Sequence, residues 1–155
     1  MSVCALKTVS TFAGEDHSHM KNNESFIENR IRWRANQYGL PKKNTYFWKE
    51  SRNKPDINLP NDIGNPVLVS ESDGLGFIIL CTFGAVVSHN GFITSFKYQE
   101  IDEVRDSKIN PDEKKEDLSR LVVWLKNGNE LQVPAETGSP AFGVWNILLM
   151  LMRMS

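Results

Sequence analysis

The sequence predicts an α+β fold. Short antiparallel strands form a β-barrel or two crossed sheets, a C-terminal helix caps them, and an N-terminal helix precedes them. Three observations carry this expectation. Between Pro66 and Pro134 the runs VLVS, GFIILCT, AVVS, FITSFKY, LSRLVVWLK and ELQVP are short, β-prone and punctuated by Gly, Asn, Asp or Pro. Two of the junctions, HNGF and KNGNE, hold the Asn-Gly pair that marks a tight hairpin. The segment AFGVWNILLMLM, Ala141 to Met152, is too apolar for a helix standing alone in water.

Three regions follow in order. Residues 1–22 are rich in Ser, Thr, Gly and His without a sustained period, and read as a flexible leader. Residues 23–65 read as an N-terminal helix and an irregular connection. Asn23 is placed to cap the helix, with Glu24 and Glu28 in its first turns, where the helix dipole favours anions. Phe26, Ile27, Ile31, Arg34 and Tyr38 fall at helical spacing, and Trp33 follows Phe26 by two turns. Gly39 then Leu40-Pro41 is a stop signal. The connection holds a short strand within TYFWK and otherwise reads as a surface crossing.

Residues 66–155 hold the strands and the last helix. Both Asn-Gly pairs suit a type I′ turn, which needs positive φ at its two central residues. In LVVWLK, Leu121, Val123 and Leu125 share one face, and Val122, Trp124 and Lys126 the other. The charged segment 105–119 reads as an excursion at the barrel rim. Ser139 is the expected N-cap of the final helix, with Pro140 at its first position. Phe142, Trp145, Leu149 and Met152 are the expected core stripe. The edge Glu130–Val133 is exposed to pairing with a second copy.

Composition excludes several functions. A net charge of −1 lacks the basic excess of a nucleic-acid binder. Two cysteines, Cys4 and Cys81, make no disulfide framework, and Cys81 lies in an apolar run that reads as core. The opening residues lack the basic start and apolar core of a signal peptide. The longest apolar segment falls short of the ~20 residues of a membrane span. The expected compartment is the cytoplasm.

No local pattern carries catalysis. His17 and His19 in EDHSH are two potential ligands where a metal site needs three or four. His89 belongs to a hairpin tip. The carboxylates Glu100, Asp102, Glu103, Asp106, Asp112, Glu113, Glu116 and Asp117 alternate with Arg and Lys as in a solvated loop. No phosphate-binding glycine loop occurs. No enzyme activity, cofactor or metal is expected.

The informative feature is regional charge. Residues 30–54 carry eight cations against Glu50 alone, a net +7, whereas residues 100–117 carry eight carboxylates against four cations, a net −4. Arg30, Arg32, Trp33, Arg34, Lys42 and Lys43 are the candidate partner-binding residues, because Arg and Trp anchor protein interfaces. The same surface suits anionic headgroups.

The succession GFIILCTFGAVVSHNGFITSFKYQEIDEV, with Tyr98, Gln99, Glu100 and Ile101 as an aromatic-x-x-Ile step, followed by LVVWLKNGNELQVP and a helix, resembles the bacterial pleckstrin-homology-like (PH-like) barrel domain over residues 66–154. That resemblance implies two near-orthogonal sheets with a helix plugging one end. Lipid-binding members place basic residues on the first hairpin loop. Here that loop is SESDGLG, which is acidic. The resemblance implies instead a non-catalytic protein-binding module, an adaptor or an inhibitor of the immunity-protein type, whose partner is a protein such as a toxin. The alternative is peripheral attachment to an anionic membrane surface through the basic N-terminal segment.

Overall fold

The computed structural model describes residues 13–106, 118 and 120–155, with side chains from Asn23 onward. The expectations for Cys4, for most of the charged excursion and for the His17 and His19 side chains lie outside these residues. The order is helix α1 (Ala13–Gln37), strands β1 (Thr45–Phe47), β2 (Pro66–Ser72), β3 (Gly76–Cys81), β4 (Gly84–His89), β5 (Phe92–Lys97), β6 (Ile101–Asp106), β7 (Arg120–Leu125) and β8 (Glu130–Pro134), and helix α2 (Ser139–Met154). β1 to β5 form one antiparallel sheet in chain order, and β6 to β8 a second. Strand β8 lies across β2, β3 and β4. The two sheets do not close into one barrel, because β5 and β6 are edges of different sheets.

Helix α1 begins at Ala13, inside the segment expected to be a leader, so Asn23 is an interior residue and not its cap. Its end is as expected. Gly39 adopts φ +74°, Leu40 N–H donates to Ala35 O at 3.1 Å, and Gly39 N–H donates to Asn36 O at 3.1 Å. This is a Schellman ending, and the buried Leu40 supplies its hydrophobic contact.

The first hairpin meets its expectation: Asn90 has φ 51° and Gly91 φ 85°. The second differs. Gly128 has φ 92° but Asn127 does not have positive φ, and Gly128 N–H donates to Leu125 O at 2.9 Å. That is a type I turn followed by a glycine bulge, which tolerates an ordinary φ at the asparagine.

Strands β2, β3 and β4 of the five-stranded sheet are buried on both faces, whereas β5 is exposed over most of its length. On the inner face Leu68, Ile78, Leu80, Ala85 and Val87 join the main core with β7, β8, α1 and α2. On the outer face Val69, Ile79, Cys81 and Val86 pack with Ile63, and Trp48, Ile57 and Leu59 cover them. The 42–66 connection is therefore a lid on the sheet and not merely a surface crossing. Strands buried on both sides need apolar residues at every position. This explains why VLV, FIILC and AVV are continuous runs.

Helix α2 presents Ala141, Val144, Ile147, Leu148 and Leu151 to the core, each at most 2% exposed. The expected stripe of Phe142, Trp145, Leu149 and Met152 lies on its flanks, partly buried. An almost wholly apolar helix carries no pattern that selects one face, so contact with the sheets selects it. The N-cap is Gly138, and Ser139 is the first helical residue. Ser139 Oγ instead donates to Tyr38 O at 3.2 Å, tying the start of α2 to the end of α1.

A part-buried polar joint ties the two sheets together. Thr45 Oγ1 donates to Glu136 Oε1 at 2.6 Å, Asn44 N–H donates to the same oxygen at 3.1 Å, and Glu136 N–H donates to Ser70 Oγ at 2.9 Å. β1 and β2 are thus joined to the segment between β8 and α2, with the polar groups satisfied.

Two acidic protons are held in the core. Tyr98 Oη donates to Cys81 O at 2.6 Å. Burial pushes the Tyr98 phenol well above its usual value, and the nearby Cys81 thiol adds to the shift. Burial pushes the Cys81 thiol from its usual 9.0 up to about 12. Both groups bind their protons more tightly folded than unfolded. Their contribution is complete below the unfolded value and is lost as pH rises toward the folded one. Urea midpoints are therefore expected to fall between about pH 9 and about pH 11, with a shallower slope in Cys81→Ser and Tyr98→Phe. A flat profile over that range would contradict the burial of both groups.

Candidate functional site

Helix α1 divides its residues among three faces. Ile27, Ile31 and Ala35 enter or pack on the core. Glu24, Glu28 and Arg32 form a polar seam against the lid. Glu24 Oε2 accepts from Asn65 Nδ2 at 2.5 Å, Glu28 pairs with Lys49 at 3.0 Å, and Arg32 Nη1 meets Glu50 at 2.8 Å. The Arg32 guanidinium also lies 4.5 Å from the centre of the Phe47 ring. The third face, Phe26, Arg30, Trp33 and Arg34, looks toward the end of α2.

On that third face a groove of about 430 Å³ runs between the two helices. Phe26, Arg30, Trp33 and Arg34 line one side, and Met150, Arg153 and Met154 the other. Phe26 is 58% exposed and Trp33 48%. The Arg30 guanidinium lies 4.7 Å from the Trp33 ring centre, within cation–π range. Arg34 Nη1 donates to Gln37 Oε1 at 3.1 Å, while its Nε is buried without a hydrogen-bond partner. Among the described residues no carboxylate forms an ion pair with Arg30, Arg34 or Arg153. The groove thus combines positive charge with exposed aromatic and thioether surface.

The candidate residues from the sequence separate here. Arg30, Trp33 and Arg34 come together. Arg32 is turned to the opposite side and neutralised by Glu28 and Glu50, one step off the spacing of the groove face. Lys42 and Lys43 are exposed in the turn after α1 and do not line the groove. Met150, Arg153 and Met154 escape a sequence reading because only the packing of α1 on α2 brings them near. Phe26 had a signal: it precedes Trp33 by seven and Arg30 by four, which stacks all three on one face.

A second groove of about 360 Å³ lies beyond Met154, lined in part by Asn23, Ile27, Asp62, Lys97, Gln99 and Leu151. Its Asp62 and Lys97 pair with each other at 3.6 Å. Among the described residues no group of three or more His, Cys, Asp or Glu is arranged to hold a metal. No helix among them is long and apolar enough to cross a membrane. No protein family, curated protein or solved structure matches the chain.

Proposed function

We propose that this chain is a non-catalytic protein-binding module of adaptor or inhibitor type, immunity proteins included, that grips its partner with the groove between α1 and α2. The observation that carries this reading is the set Arg30, Arg34 and Arg153 without carboxylate partners among the described residues, beside exposed Phe26 and Trp33. Arginine beside half-exposed aromatic surface is the composition of an interface hot spot. The complementary partner presents carboxylates flanking an apolar side chain. A PH-like architecture accords with this proposal: β2 to β5 as one meander, β6 to β8 as another, then α2, with α1 and β1 as additions.

The test is charge reversal. Affinity capture from the native lysate is expected to retain a stoichiometric protein on the wild type, released by salt. The double variant Arg30→Glu, Arg34→Glu is expected to lose it, at a cost of about 2–4 kcal/mol. Equal retention by both proteins, or by neither, refutes the groove as the binding surface.

A second reading rests on the same exposed Trp33 and the arginines without carboxylate partners among the described residues, which suit the interface of an anionic membrane. Sedimentation with anionic vesicles, salt-sensitive and absent with neutral ones, would select it over a protein partner.

A further inference from the structure

The two sheets have four edges, and three carry features that discourage further strand pairing. β1 is three residues long. β6 has Asp102, Glu103, Arg105 and Asp106 among its six residues and a register break after Ile101. β8, the edge that the sequence offered for pairing, carries Glu130 and ends at Pro134. β5 is not short and has no register break and no proline, and its one charge is the terminal Lys97. It runs six residues, FITSFK. Phe92 is 79% exposed and Ile93 61%.

From this contrast we infer that β5 is the self-association edge of the protein and pairs antiparallel with β5 of a second copy about a two-fold axis at Thr94. The hairpin geometry fixes the register. Residues flanking a two-residue turn exchange both ladder bonds, so Phe92, Thr94 and Phe96 direct their backbone polar groups to β4. Ile93, Ser95 and Lys97 direct theirs outward. Lys97 N–H already donates to Glu100 Oε1 at 2.7 Å. Among the described residues the groups left over are those of Ile93 and Ser95, and only pairing about Thr94 sets Ile93 of each copy opposite Ser95 of the other. On the outer face the large Ile93 then meets a small serine. On the inner face the exposed Phe92 lies beside Phe96 of the second copy, and Thr94 meets itself. The two Lys97 side chains fall at opposite ends of the paired strands. A strand that complements itself in size and avoids like charges is what a two-fold interface requires. The second copy, and not an unrelated extended peptide, is the occupant because this complementarity is internal to FITSFK.

Sedimentation velocity on the full chain over a wide concentration range tests this. The wild type is expected to shift from monomer to dimer as concentration rises, with slower hydrogen exchange at the Ile93 and Ser95 amides in the dimer. Ser95→Pro removes an outward amide and leaves the β4 ladder intact. Ile93→Lys adds the edge charge that the strand lacks. Each occurs twice in the interface and is expected to weaken dimerisation at least about tenfold. Circular dichroism should stay unchanged, and Ile93→Lys decides the matter if Ser95→Pro disturbs the fold. A wild type monomeric at every concentration, or a dimer that both variants leave intact, overturns the inference.

Discussion

Gly76→Ala is expected to bring the protein close to unfolding. Gly76 opens β3 opposite His89 and adopts φ +141°, a conformation that L side chains rarely enter. A Cβ there would lie 1.8 Å from the Ser88 carbonyl oxygen. That oxygen belongs to the backbone of β4 and cannot swing away. Backbone strain and overpacking together cost roughly 4 kcal/mol, a large part of the stability of a small domain. Gly74→Ala separates the two contributions. Gly74 also has positive φ, +75°, but nothing lies within 4 Å of its missing Cβ. It is expected to cost about 1 kcal/mol. Urea unfolding followed by tryptophan fluorescence measures both, and equal effects would refute the steric argument.

The strands of the first sheet were legible because turn chemistry and apolar runs coincide there. The Asn90-Gly91 turn sets the β4–β5 register, and the structure follows it residue by residue. β6 was not legible. Its buried residues, Ile101 and Val104, are three apart and not two, because the register shifts between Ile101 and Glu103. Four charges on a six-residue edge strand then read as a loop. The register shift removed the alternation by which strands are recognised.

The groove was half legible. A helical face is written in one segment, so Arg30, Trp33 and Arg34 were available from spacing alone. Arg32 looked equivalent because its charge is visible in the sequence and its partner Glu50 is not nearby in the chain. Glu50 becomes a neighbour only when the lid folds back along α1. Regional charge thus overstated the free positive surface. The +7 of residues 30–54 includes Arg32, paired with Glu28 and Glu50, and Lys49, paired with Glu28. What remains is Arg30 and Arg34 on the side of α2, with the exposed Lys42, Lys43, Arg52 and Lys54 away from the groove.

Ile79→Ala is expected to cost about 3 kcal/mol, as much as the inner-face substitution Leu80→Ala. The two residues are adjacent on β3 and point to opposite faces. Leu80 enters the main core, where loss of methyl groups is costly in any fold of this type. Ile79 would be solvated if the five-stranded sheet had one wet face, and its truncation would then cost under about 1 kcal/mol. In the structure Ile79 is 0% exposed and shares a cluster with Ile63, Val69, Cys81 and Val86. Trp48, Ile57 and Leu59 pack over that cluster from the lid. The equality of the two substitutions therefore measures the lid itself. Denaturant midpoints of both variants read it directly, with Ile93→Ala, 61% exposed on the edge strand, as the reference for a solvated isoleucine. If Ile79→Ala behaves like Ile93→Ala while Leu80→Ala does not, the second core fails, and with it the explanation of why β2, β3 and β4 are apolar at successive positions.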